Sequence, residues 1–123
     1  MAAKVVDASV LGALLFGKPS AQKAFALLQG AELYAPTLLR YELTSIAYKK
    51  ISSYPKQREG LIAALRVGLL LDLHQVEVDH EAALQLALAT GLTPYEASYL
   101  VLARTLGAPL VTFDKRLQKV LEE

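Results

Sequence analysis

Four short apolar runs, each ending at a turn or cap signal and separated by stretches of helical periodicity, constrain this chain more than any other feature. Lys4-Val5-Val6 runs into Asp7, Glu32 to Ala35 into Pro36, His74 to Val78 into Asp79, and Pro109 to Phe113 into Asp114. Strands spaced by helices pair in parallel through crossovers, and a parallel sheet needs helices on both faces to bury it. The expected fold is therefore α/β: a three-layer α/β/α arrangement around a short parallel sheet of four, possibly five, strands. With 123 residues the chain suits one domain spanning 1–123. Between the strands, Ser9 is placed to cap a helix through Phe16, and a second helix follows Pro19 and stops at Gly30. Thr37 opens a helix through Lys50, and Pro55 opens another to about Leu70. Asp79 caps a helix that Gly91 ends, and Asp114 begins a short closing helix. Thr93-Pro94-Tyr95-Glu96 combines a capping box with Pro at the first helical position, and Gly107 closes that helix.

Composition removes several function classes. Hydrophobic residues at 54% and charged residues at 20% exclude a disordered chain. With no cysteine there are no disulfides, thiolate metal sites or cysteine nucleophiles, and His74 and His80 are the only imidazoles. A bound metal would be held mostly by oxygen. Thirteen Lys and Arg against twelve Asp and Glu give a net charge of +1, too small a field to steer nucleic acid from a distance. No apolar run approaches a membrane span, and Asp7 interrupts the first apolar stretch, unlike a secretory signal. A cytoplasmic protein is expected. The apolar excess, concentrated at Leu61, Ile62, Ala64, Leu65, Leu69 and Leu70, points to a homodimer.

Asp7 and Asp114 each end a strand on what should be the same edge, and parallel topology makes those ends neighbours. Each also suits a plain helix cap. In the helix after Thr37, Leu39, Glu42, Leu43 and Ile46 form one stripe, so an acid occupies a slot that should face the core. Lys49 could reach Glu42 only by folding back. Glu96 fits the third position of the capping box, yet it also heads the row Glu96, Leu100, Ala103 on an apolar helix. If these four acids converge, their repulsion requires protons or a hard cation, and an all-oxygen donor set selects Mg²⁺ or Mn²⁺. Such an ion can activate water and neutralise charge on a phosphodiester. A rival motif, Gly12 to Lys18, matches most of a phosphate-binding P-loop and would imply a nucleotide-binding protein. Pro19 stands where that loop needs Ser or Thr, and Ala13 to Phe16 reads as helix interior. The two histidines fall into no triad with a serine and an acid, and structural duty suits them better.

Taken in order, VVDASVL, APTLLRYEL, TPYEASYLVLA and PLVTFDKRL resemble the PIN domain, and specifically the short VapC-type toxins of toxin–antitoxin pairs. The resemblance covers nearly the whole chain. It implies a metal-dependent endoribonuclease whose metal-binding and catalytic acids map to Asp7, Glu42, Glu96 and Asp114, with auxiliary polar roles for Ser9 and Thr112. It further implies a homodimer, an RNA substrate, and a cognate antitoxin lying across the acidic edge and the helices of residues 37 to 70. Lys18, Lys49, Lys50, Lys115 and Arg116 are the basic residues expected nearest to phosphates. Two departures stand out: the third acid is usually Asp, and the family commonly closes with a fifth strand. The first leaves room for a catalytically impaired, PIN-like RNA- or protein-binding module.

Overall fold

Val5 and Val6, both wholly buried, set the middle of the sheet. In the computed structural model, which describes residues 1–17 and 19–123, β1 (Ala3–Val6) pairs in parallel with β2 (Glu32–Pro36) on one side and β4 (Leu110–Val111) on the other. β3 (His74–Val76) lies beyond β2, giving the order β3-β2-β1-β4. The flanking strands have two and three residues, which leaves little open edge for stray pairing. Helices α1 (Ala8–Leu15), α2 (Ala21–Leu28), α3 (Leu39–Ser53), α4 (Arg58–Leu69), α5 (His80–Thr90), α6 (Pro94–Leu106) and α7 (Lys115–Leu121) complete the three-layer α/β/α fold. Leu11, Leu39, Leu43, Leu100 and Leu117 close over the strands in one core.

The local stop signals operate as their chemistry requires. Asp79 caps α5 through bonds from the amides of Glu81 and Ala82, and Gly91 ends the helix in the left-handed region at φ 79°. Thr93 and Glu96 form the reciprocal capping box of α6, with Pro94 at its start.

Other expectations need correction. The cap of α1 is Asp7, not Ser9, because Asp7 leaves β1 in extended conformation with its carboxylate over the first amides. Thr37 does not open α3. Leu38 occupies the cap position without a side-chain bond, and the Thr37 hydroxyl donates instead to Glu77. Residues 55–57 form a 3-10 turn ahead of α4, and β3 and β4 are shorter than their apolar runs. Val78 is buried without pairing, so hydrophobicity there reports packing and not a ladder. No fifth strand occurs among the described residues; α7 occupies the end of the chain.

The P-loop reading fails on backbone shape. Gly12 to Leu15 is helical, with Gly12 against Ile46, and Lys18 lies outside the described residues. Of the residues expected to expose an apolar excess, Leu61 is buried, whereas Leu70 is 85% exposed. The surface of 7534 Å² exceeds the roughly 6,500 Å² of a compact monomer of this mass. Among the described residues, no helix is long and apolar enough to cross a membrane.

Candidate active site

The register of β1 and β4 decides where the first acid goes. Val6 stands opposite Val111, so Asp7 and Thr112 leave the sheet side by side at its carboxyl edge. This is the edge at which open parallel sheets place their ligands. Asp7 Oδ1 accepts from the amides of Ser9 and Val10 at 3.1 and 3.3 Å and from Ser9 Oγ at 2.6 Å. Its Oδ2 accepts from Thr112 Oγ1 at 2.5 Å. The two hydroxyls each pass one bond onward, Ser9 Oγ accepting from the amide of Phe113 and Thr112 Oγ1 from that of Asp114. Burial pushes the Asp7 carboxyl above the usual range, and these four bonds oppose the shift by favouring the charged form.

Asp114 caps α7, its Oδ1 accepting from the amides of Arg116 and Leu117. Glu42 sits on the stripe with Leu39 and Leu43 buried beside it, and its Oε1 accepts from the Tyr99 hydroxyl at 2.5 Å. Burial is the main cause raising the Glu42 carboxyl above its ordinary value. The negative charges of Asp7, Glu96 and Asp114 push the same way, and the Tyr99 bond pulls against them. Burial, followed by the Glu42 charge, drives the Tyr99 hydroxyl strongly upward, so it stays a proton donor. Glu96 keeps both of its anticipated relations. Its Oε1 accepts from the Thr93 amide at 2.8 Å, while Leu100 and Ala103 below it are buried.

Asp7, Glu42, Glu96 and Asp114 thus line one cleft of about 90 Å³, together with Ser9, Tyr99 and Leu117. Thr112 touches it through Asp7. The donor set is all oxygen, and like charges already disfavour ionised Glu42, so its chemistry suits a hard divalent cation. As the side chains are placed, no three such groups among the described residues are close enough to share one ion.

Tyr99 is the residue that the sequence reading lacked. Its signal was a tyrosine on the buried face of α6, since a buried phenol needs a hydrogen-bond partner. Lys49 is exposed and does not serve Glu42. Of the basic residues, Arg116 reaches the cleft: its guanidinium donates to the Gly91 carbonyl and stands 3.5 Å from Glu96 Oε1. Lys115 is exposed, and Lys49 and Lys50 lie farther along α3; Lys18 lies outside the described residues. The histidines sit elsewhere, His74 stacked on Tyr34 and beside Glu32, His80 against Glu77.

A parallel sheet with acids gathered at its carboxyl edge defines a class, and the family comparison names it: the PIN domain model matches residues 4–122, and the chain belongs to that family. Within it the relationship runs to the VapC type. The chain is 30% identical to Ribonuclease VapC3 of Pyrobaculum aerophilum, over 92% of this chain and 90% of that one. The crystal structure of PAE2754 from Pyrobaculum aerophilum superposes with a TM-score of 0.76 at 25% identity, covering 94% of this chain and 82% of the other. The Mycobacterium tuberculosis VapC20 toxin, which cleaves the sarcin-ricin loop, gives 0.66 at 14% identity, covering 95% and 94%, a likeness of fold alone.

Proposed function

We propose that this protein is a Mg²⁺- or Mn²⁺-dependent endoribonuclease, the toxin of a toxin–antitoxin pair, working in the cytoplasm as a homodimer. The observation that carries the reading is the single cleft lined by four carboxylates at the carboxyl edge of the sheet. Asp7, Glu42 and Asp114 would hold the ion, with Glu96 the fourth donor. Bound there, a divalent cation supplies water activation and charge neutralisation at a phosphodiester. The chain's own residues prepare the place. Ser9 and Thr112 fix both oxygens of Asp7, Tyr99 fixes Glu42, and Arg116 offers a guanidinium at the rim where a phosphate would arrive. An antitoxin would inhibit by laying a basic side chain on the same carboxylates.

A second reading has one observation in its favour. Glu96 is engaged by the Thr93 amide and Arg116, which suits an RNA-binding module that does not cut. Incubating single-stranded RNA with the protein in Mg²⁺, Mn²⁺ or chelator separates the two. Cleavage is expected only with metal, leaving a 5′-phosphate and a 3′-hydroxyl. Because Asp7 and Asp114 are helix caps, Asp→Ala would cost about 0.5–2 kcal/mol of stability besides activity. Asp7→Asn and Asp114→Asn retain a capping oxygen and are the cleaner tests. Both should abolish cutting and weaken Mn²⁺ binding in calorimetry while circular dichroism stays unchanged. Metal-independent cleavage, or products ending in a 2′,3′-cyclic phosphate, would refute the mechanism; tight RNA binding without cleavage in any metal would favour the second reading.

A further inference from the structure

We infer that the lip of the cleft formed by α7 is a landing surface for the substrate's sugar-phosphate backbone, which leaves the acids past Arg116, crosses Lys115 and Lys119, and reaches Lys23. The inference rests on the nuclease reading and adds the side of the cleft on which single-stranded RNA lies.

Charge is spread unevenly along the carboxyl edge of the sheet. In the order β3-β2-β1-β4, the β3 end of that edge continues into Glu77, Asp79 and Glu81, all exposed, and the β4 end into Lys115 and Arg116 just after Asp114. No Lys or Arg occurs between Arg66 and Arg104, a stretch that holds β3, α5 and the start of α6. A polyanion held at the cleft therefore meets repulsion on the β3 side and attraction on the β4 side.

Helix α7 presents its cations across its width. Leu117 is 1% exposed and fixes the inward face. Lys115 and Lys119, one turn apart, share the outward face, and Arg116 is turned about 100° from Lys115 on the flank toward the cleft. The Arg116 guanidinium donates to the Gly91 carbonyl and stands 3.5 Å from Glu96 Oε1, which leaves further N–H groups of its fork to take a phosphate. On the opposite flank the Gln118 amide donates to the Thr112 carbonyl at 2.9 Å. Beyond it stands Lys23 of α2, exposed, with Nζ 5.6 Å from the centre of the Phe113 ring. The outward face turns acidic at Glu122, so the positive track crosses the helix and does not follow its length.

Helix α3 offers the rival path. Its Lys49 and Lys50 are separated from Glu42 by the uncharged run Leu43 to Tyr48, whereas on α7 positive charge begins at the residue after the acid.

The test measures binding of a fluorescent single-stranded RNA in chelator over a salt series and, where the protein cuts, kcat/KM for the same RNA in Mn²⁺ over the same series. Each cation in contact with a phosphate of a single strand adds about 0.7 to the steepness of log affinity against log salt. Arg116→Gln, Lys115→Gln, Lys119→Gln and Lys23→Gln should each remove about that much, so that a roughly tenfold drop in salt tightens binding about fivefold less than in wild type. Arg116→Lys keeps the charge and should keep the slope, and Lys49→Gln with Lys50→Gln should leave it unchanged. All these lip side chains are exposed, so circular dichroism should stay unaltered. Cutting in Mn²⁺ with slopes indifferent to the lip variants overturns the landing surface and leaves the nuclease standing; a slope flattened by the Lys49 and Lys50 changes instead places the backbone along α3, and the inference fails. A lip-dependent slope without cutting in any metal supports the surface and sinks the nuclease. Absence of both binding and cutting overturns both.

Discussion

Tyr99→Phe removes one oxygen from a ring that is 2% exposed, and with it the donor to Glu42. A hydrogen bond to an ionised group contributes about 1.5–3 kcal/mol, and the half-buried position of Glu42 argues for the lower end, about 1.5–2 kcal/mol. With an unfolding entropy of about 2.1 cal/mol/K per residue, 123 residues give roughly 0.26 kcal/mol/K, so the midpoint should fall by about 6–8 °C at pH 7. The pH dependence carries the sharper signature. Burial and neighbouring charge raise the folded Glu42 carboxyl, so in the metal-free protein stability declines as pH rises from the unfolded glutamate range through the raised value. The Tyr99 bond works against that decline, and its loss deepens it. In acid the carboxyl is neutral, and the bond is worth about 0.5–1.5 kcal/mol. The penalty of Tyr99→Phe should therefore be largest near neutrality and shrink toward about pH 4. Thermal unfolding in chelator of wild type, Tyr99→Phe, Glu42→Gln and the double variant measures it. Glu42→Gln should itself gain stability near neutrality by relieving repulsion, and Tyr99→Phe should cost much less in that background. A penalty equal in both backgrounds and at both pH values would refute this account of the pair.

Two other changes probe the same cleft. Glu96→Gln keeps the capping box and removes a charge, so metal-free stability should hold or rise while Mn²⁺ affinity in calorimetry falls several-fold; Glu96→Asp should keep the affinity and lose up to roughly 1 kcal/mol from the weaker cap. Equal affinities in all three proteins would leave Glu96 as a cap alone. Thr112→Val leaves Asp7 Oδ2 without its donor and the Asp114 amide without its acceptor at a site 7% exposed, a loss of about 1–3 kcal/mol by denaturant unfolding at pH 7. Since the lost bond favours ionised Asp7, its carboxyl rises further and the deficit should narrow in acid; a deficit independent of pH would contradict the role given to the hydroxyl.

Chain-local devices are legible in the sequence: Asp79, Gly91, the Thr93–Glu96 box, Gly107 and Asp114 each act within about four residues of themselves. So is the approach of Asp114 to Asp7, because parallel pairing of β1 with β4 sets their carboxyl ends side by side. Competition between two good local solutions hid the cap of α1, where Asp7 and Ser9 are both suitable and only the exit of β1 chooses. Strand ends were overdrawn at Val78 and Phe113 because apolarity reports burial and is silent about hydrogen bonding. Contacts between distant residues were beyond reach: Tyr99 lies 57 positions from Glu42, and Arg116 25 from Gly91. No periodicity carries information over such a span.

Each of the four acids also stands at the beginning of a different helix. Asp7 and Asp114 are the caps of α1 and α7, Glu42 is in the first turn of α3, and Glu96 is in that of α6. A helix start carries about half a positive elementary charge, so four of them bring roughly +2 to the cleft. Against four ionised carboxylates this leaves about −2. The backbone thus acts as a permanent partial counterion, easing the repulsion among acids that share one cleft.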